Sequence, residues 1–303
     1  MSNRSEKHHY LINAIGGRTP STVNARLKSL LLNRMHGVSF SAYTGDQKPG
    51  DEISATQIEH RMVTLSEHFN WVRSFSVTEG NQHIPRVAKT FGIKTLVGAW
   101  LGGDVEKNRT EIEHLIALCQ EGCVDIAAVG NEVLYREELT EDELLAYINE
   151  VKARVPSHIP VGYVDAYYEF EDRPQLTKTC DVLLANCYPF WEGCALPYAT
   201  LYMQDMYRRV KRVADGKRVI ISETGWPSAG GAHYGAEAGR EGSLDYFLKA
   251  MEWAHEENIE MFYFSSFDEA WKTTSEAGEG AVGAHWGLWD QEETFKYVGA
   301  LDQ

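Results

Sequence analysis

The chain has no excess of positive charge, no long apolar run and few cysteines, and each shortage closes off a class of function. Against 44 Asp and Glu it carries only 29 Lys and Arg, a formal net charge of −15 over 303 residues. That balance argues against nucleic-acid partners and against an anionic membrane surface. No apolar stretch is long enough to span a bilayer, so membrane insertion is not expected. The five cysteines (Cys119, Cys123, Cys180, Cys187 and Cys194) are odd in number and irregularly spaced. This favours reduced, mostly buried thiols over a disulfide framework. Cys119 and Cys123 lie four apart, but no second Cys or His pair sits at zinc-like spacing. The 11 histidines are scattered and none forms an HExxH motif. Neither a metal nor another cofactor is expected.

Internal repeats, low-complexity tracts and a dividing linker are missing too. The first ten residues, Met1 to Tyr10, are polar and basic with no apolar segment behind them. They do not read as a secretory signal. A cytoplasmic location is expected, or a secreted or periplasmic one if a leader has been removed.

What remains is an ordinary globular composition, 43% hydrophobic and 24% charged, long enough for one large α/β barrel or two smaller domains. Residues 1–34 read as a loose polar arm followed by a short helix. Thr19-Pro20 opens that helix, and Val23, Leu27, Leu30 and Leu31 share one face of it. From residue 35 to 303, strand-like runs alternate with helical patterns. The strands are expected around 35–41, 71–76, 94–100, 124–130, 161–165, 182–187, 218–223 and 261–266. Between them the helical period is plain. Ile112, Leu115, Ile116 and Cys119 recur at helical spacing, as do Leu144, Tyr147, Ile148, Val151 and Leu244, Phe247, Leu248, Met251. Thr140 with Glu143 three residues on is a capping box. Eight such units in about 260 residues predict a single α/β domain, a (β/α)8 TIM barrel with a short N-terminal helical extension. Gly230 to Gly235 has no Lys or Arg placed as in a phosphate loop, and a flexible loop is expected there.

A barrel gathers its strand ends on one face, and here those ends carry chemistry. Strand two gives Arg73, strand three Trp100, strand four Asn131-Glu132, and strand five Asp165, Tyr167 and Tyr168. Strand six gives Asn186, Tyr188 and Trp191, strand seven Glu223 and Trp226, and strand eight Asp268, Glu269, Trp271 and Lys272. A glutamate at the tip of Val219-Ile220-Ile221, followed at once by Thr-Gly-Trp-Pro, is unusual for stability alone. Alone it reads equally well as a turn acid; a second glutamate at the tip of Val124–Gly130 changes the balance. Two carboxylates amid aromatics and amides describe a sugar site. Sugar hydroxyls take carboxylates and amides, pyranose faces stack on Trp and Tyr, and glycosidic cleavage needs one protonated and one ionised carboxyl. Plain packing stays open for Trp191, Trp226 and Trp271, and a surface cation for Lys272.

The motifs Val-Gly-Asn131-Glu132 and Ile-Ser-Glu223-Thr-Gly-Trp-Pro-Ser resemble the signatures of glycoside hydrolase family 17, the β-1,3-glucanases and glucanosyltransferases. Val-Asp165-Ala-Tyr167, Asn186-Cys-Tyr188-Pro-Phe-Trp191 and Phe-Asp268-Glu269-Ala-Trp271-Lys272 resemble its compact fungal and bacterial members. The resemblance runs from about Met35 to Trp289. It implies a retaining mechanism on β-1,3-glucan, with Glu132 as acid/base and Glu223 as nucleophile. It implies also that Asn131 binds a sugar 2-hydroxyl, that Tyr188 bonds the nucleophile, and that Glu269 and Lys272 form a supporting pair. Lys272, on the strand beside strand seven, is expected to put its charge nearer Glu223 than Glu132. One departure is Phe75, where the family often has tyrosine. Transfer to a sugar hydroxyl instead of water remains an alternative on the same pair. A non-catalytic glucan-binding barrel would fit better with a glutamate missing; a phosphate-dependent lyase or isomerase would want a Schiff-base lysine or a phosphate cradle, and Lys272, the one plausible lysine, sits beside acids that keep it charged. The partner expected is a β-glucan oligo- or polysaccharide; nothing in the pattern sets an oligomeric state.

Overall fold

A computed structural model describes residues 20–275 and 282–297. The polar arm expected over residues 1–18 lies outside them. Eight parallel strands close into a barrel: β1 (Met35–Ser39), β2 (Phe69–Ser74), β3 (Lys94–Ala99), β4 (Ile126–Asn131), β5 (Val161–Ala166), β6 (Val182–Asn186), β7 (Arg218–Thr224) and β8 (Met261–Tyr263). Each bonds its sequence neighbours, and β8 closes on β1 through Gly37 opposite Phe262 and Val38 opposite Tyr263. Gly37 is required there: a Cβ would fall 2.6 Å from the Phe262 ring, which fills the barrel. The (β/α)8 expectation holds, with β8 three residues shorter than its apolar run suggested. After Tyr263 the backbone leaves the ladder; the N–H groups of Ser265 and Ser266 turn to the carbonyls of Trp286 and Ser39.

The strands are buried on both faces, and their alternation sorts side chains into two cores. Leu96, Ile126, Ala128, Val164, Val182, Leu184, Ile220 and Phe262 pack inside the barrel with Trp71. Their neighbours Val97, Ala127, Leu183 and Ile221 point outwards to the helices. Those helices are α1 (Pro20–Leu32), α2 (Ala55–His68), α3 (His83–Thr90), α4 (Val105–Gln120), α5 (Glu141–Arg154), α6 (Pro174–Thr179), α7 (Leu196–Val213) and α8 (Arg240–Glu256). Local chemistry starts several of them. The Ser54 and Asp104 side chains accept from the first-turn N–H groups of α2 and α4, and Thr140 with Glu143 forms a full capping box on α5. Helix α1 lies against the barrel, with Leu27 buried and Arg26 paired to Glu252 of α8.

The stretch expected as a flexible loop is instead a short antiparallel hairpin. Ala232 pairs with Glu237 and His233 with Ala236. Tyr234, at φ 50°, turns the chain, and the Trp226 indole N–H holds the Glu237 carbonyl at 2.9 Å. Among the described residues no helix is long and apolar enough to cross a membrane, and no group of three His, Cys, Asp or Glu could hold a metal.

Candidate active site

Parity along the strands decides what reaches the barrel mouth. On β2, Trp71 points inwards and so does Arg73; on β6, Leu184 is followed inwards by Asn186. On β7, Ile220 and Ser222 point inwards, which would send Glu223 out towards the helices. The pairing slips there: Ile221 faces Ala185 but Glu223 faces Asn186. This irregularity brings Glu223 into the mouth. β4 does the same between Ala128 and Asn131. Gly130 (φ 86°) and then Glu132 (φ 54°) adopt left-handed conformations. Such a conformation is uncommon for a non-glycine residue and concentrates at functional sites. The Glu132 N–H bonded to the Val164 carbonyl at 2.8 Å fixes it.

The Glu223 carboxylate is nearly enclosed and accepts three side-chain bonds. Arg73 Nη1 reaches Oε1 at 2.5 Å, Asn186 Nδ2 reaches the same oxygen at 3.2 Å, and the Tyr188 hydroxyl donates to Oε2 at 2.6 Å. Arg73 Nη2 also donates to Asn131 Oδ1 at 2.6 Å. The guanidinium thus ties the ends of β4 and β7 together. The cation seated on Glu223 is Arg73; Lys272 pairs with Glu269 at 2.7 Å and stands 4.5 Å over the Phe264 ring. Phe75, the departure noted above, packs under Arg73 with its ring 4.3 Å from the guanidinium carbon.

The Glu132 carboxylate accepts from Asn186 Nδ2 at Oε1, at 2.8 Å. One amide nitrogen therefore touches both carboxylates. Their nearest oxygens lie within about 6 Å of each other, the sum of the two contacts at most, which fits the roughly 5–5.5 Å of a retaining pair. Burial, and then the negative charge of Glu223, push the Glu132 carboxyl up to about 7. The pair is asymmetric: Glu223 is held by a cation and two further donors, while Glu132 is poised to keep its proton.

Other expected site residues fall elsewhere. Asp165 is fully buried and faces out from β5, the opposite parity to Val164. It accepts from the Tyr163 hydroxyl and from the Ala166 and Tyr135 N–H groups at 2.7 and 3.3 Å. It braces the turn behind Glu132 and cannot bind a sugar. Tyr167 is likewise buried, its hydroxyl accepting from Arg209 at 3.1 Å and its ring under that guanidinium. Trp226 is completely buried between Phe190 and Tyr246; it is a packing residue, not a binding one. Its neighbour Gly225 is dictated by space, since a Cβ would lie 2.1 Å from the Phe264 carbonyl oxygen. Arg73, 1% exposed, positions carboxylate and amide from below. Trp191 is half-buried, 5.4 Å from Trp286. Trp271 donates to Glu269 at 3.3 Å beside Tyr43.

Sequence reasoning passed over Ser222 and Trp286. The Ser222 hydroxyl donates to Asn186 Oδ1 at 2.8 Å. The Trp286 ring meets Tyr188, Phe190 and Phe264 edge-on. Ser222 stood inside the strand-seven motif, and its parity with Ile220 was the available signal. Trp286 lies in an irregular segment with no periodicity to place it.

A closed (β/α)8 barrel with two glutamates bridged at its mouth defines a glycosidase of the two-carboxylate class. Residues 37–287 match the family described as the BtgE/BtgC glycoside hydrolase domain, and the chain belongs to that family. It is 32% identical over 253 residues to a glucan 1,3-beta-glucosidase of Arthroderma benhamiae, covering 77% of this chain and 81% of that one. A glucan 1,3-beta-glucosidase of Candida albicans is 27% identical over 256 residues, covering 77% and 82%. Among solved structures, the glycoside hydrolase family 17 beta-1,3-glucanosyltransferase of Rhizomucor miehei superposes with a TM-score of 0.77 at 28% identity. That match covers 87% of this chain and 96% of the other. An endo-laminarinase from Formosa shares the fold at a TM-score of 0.74 and 21% identity, with 88% and 85% covered.

Proposed function

We propose that the chain cleaves β-1,3-glucan by double displacement, with Glu223 as nucleophile and Glu132 as acid/base. The observation that carries this reading is the single Asn186 amide in contact with both carboxylates. It leaves no room for the water that an inverting enzyme places between its pair. In the first step Glu223 attacks the anomeric carbon while Glu132 gives its proton to the departing glycosidic oxygen. Glu223 is then esterified and its charge is gone. The pKa of Glu132 falls, and it takes the proton from the incoming hydroxyl as that oxygen attacks the anomeric carbon and frees Glu223. Tyr188 and Arg73 hold the departing carboxylate. The relatives' names support β-1,3-linked glucose as the substrate class; water and a sugar hydroxyl are both competent acceptors at this pair.

The test is the anomeric form of the first product from laminari-oligosaccharides, followed by NMR before mutarotation. Initial β product supports the double displacement; initial α product overturns it. Chromatography of the same digest shows transfer as products longer than the substrate, and hydrolysis alone as shorter ones.

A further inference from the structure

The end of the barrel opposite the catalytic face holds a polar cavity of about 500 Å³ that the proposed mechanism does not use. Its floor is Trp71, which closes the barrel core, and its walls come from the starts of β3 to β7. Parity explains why charged side chains gather there. Leu96 and Ile220 point into the barrel. Lys94 and Arg218, two residues before them on β3 and β7, therefore point into its lower entrance. Those two strands stand on opposite sides of the barrel, yet both cations reach the same indole. The Lys94 ammonium lies 5.4 Å and the Arg218 guanidinium 6.0 Å from the Trp71 ring centroid. His36 stacks on that ring at 5.6 Å and Phe262 meets it edge-on, which fixes the floor.

Charges at the base of a barrel ordinarily serve stability, and for that they are paired. Arg218 follows the rule, its Nε and Nη2 on the two oxygens of Glu260 at 2.6 and 2.5 Å. Lys94 does not. Among the described residues no carboxylate pairs with it, and Arg218 keeps Nη1 for a further acceptor. Two cations with donors to spare beside one ring suit a tetrahedral oxyanion.

The rim sets what else the ligand carries. Asp125 Oδ2 accepts from the Thr95 N–H at 2.9 Å. Asp181 Oδ2 accepts from the Val161 N–H at 3.1 Å, and its Oδ1 from the Lys152 ammonium at 2.6 Å. These bonds fix both carboxylates on the wall. Their remaining lone pairs accept from hydroxyls and repel a second anionic group. The volume also exceeds what a bare oxyanion fills. The chemistry that fits is one anionic end and one neutral, hydroxyl-rich end.

We propose that this cavity binds a sugar phosphate, with its phosphoryl group between Lys94 and Arg218 and its ring towards Asp125, Asp181 and His158. The site lies at the far end of the barrel from Glu132 and Glu223, so it stands or falls apart from the glucan reading.

The test is isothermal titration calorimetry with glucose 6-phosphate, inorganic phosphate and glucose as separate probes, with no glucan present. Wild type should bind glucose 6-phosphate at least about tenfold more tightly than either fragment, because only the whole molecule engages cations and rim together. Lys94→Met should weaken that binding by about tenfold or more, the worth of a charge-assisted bond, and Lys94→Arg should retain it. Lys28→Met, at an exposed position on α1, is the control, and melting temperatures confirm that each variant is folded. No binding of glucose 6-phosphate at millimolar concentration overturns the proposal. So does equal affinity in wild type and Lys94→Met, which would place the ligand elsewhere on the molecule. Inorganic phosphate bound as tightly as glucose 6-phosphate would leave an adventitious oxyanion cradle and overturn the sugar phosphate.

Discussion

The Ser222 hydroxyl donates to Asn186 Oδ1 at 2.8 Å, and that bond decides which way the amide faces. With Oδ1 accepting from the serine, Nδ2 is turned to Glu132 and Glu223. A flipped amide would put an oxygen between two carboxylates. Removing the hydroxyl by Ser222→Ala costs about 1 kcal/mol in fixing that orientation. We expect kcat to fall several-fold, with KM and melting temperature little moved. Asn186→Ala removes the shared donor itself and should cost on the order of 100-fold in kcat. Equal activity of both variants with wild type, by steady-state kinetics on laminari-oligosaccharides, would remove the amide from the mechanism.

Glu223→Ala should lower turnover by about 10,000-fold or more while the chain stays folded. The gap left beneath the anomeric carbon can admit a small anion. Azide or formate should then restore cleavage of an activated aryl β-glucoside and give an α-configured product. Substantial unaided activity in this variant would mean that another group is the nucleophile.

Two tryptophans that look alike in sequence should respond in opposite ways. Trp226 has no exposed surface, so Trp226→Ala opens a large cavity and should destabilise the fold by about 3–5 kcal/mol. Trp191 is half-buried against Trp286 and His233. Trp191→Ala should weaken oligosaccharide binding by about 1–3 kcal/mol, with little change in melting temperature. Denaturant titration and binding isotherms on the two variants separate the cases. A large stability loss at Trp191 with unchanged binding would make it a core residue too.

The contrast shows what could be read from the chain and what could not. Strand order and barrel closure were legible because eight apolar runs alternate with amphipathic helices. Glu132 and Glu223 were legible because a carboxylate ends a buried strand twice. Which way a side chain points was not. In a strand buried on both faces every position is apolar, so Asp165 on β5 carried no sign of its outward parity. Nor did a strand end reveal that pairing slips beside Asn131 and Glu223. Arg73 is the instructive case: expected among the residues of a sugar site, it is the buried cation under Glu223. The Lys272–Glu269 pair, three apart in sequence, was visible as a pair, but the Phe264 ring beneath the lysine was not.

The last prediction concerns the proton on Glu132. Its folded pKa is raised to about 7 by burial first and by Glu223 second, against about 4.3 for a free glutamate. The folded state therefore holds a proton that the unfolded chain releases between those values. Across that interval the unfolded state binds fewer protons, so stability falls as pH rises. The stability from this proton is fully present below about pH 4 and is lost as pH climbs through about 7. Glu132→Gln has no such proton to lose. Its melting temperature relative to wild type should rise steadily from pH 4.5 to 7.5. The full difference is on the order of 2–3 kcal/mol of unfolding free energy. Asp165, pushed up to about 6 by burial, adds a slope of the same sign, but both proteins keep it and it cancels in the comparison. In the proposed mechanism the same ionisation governs catalysis. For substrates with poor leaving groups, the basic limb of kcat/KM should fall near pH 7, where Glu132 loses the proton it must donate. Aryl glycosides that depart unprotonated should lose that limb in Glu132→Gln. A stability difference that does not change with pH would show that Glu132 titrates no differently in the fold than in the free chain. A basic limb that persists in Glu132→Gln would assign the acid to another group.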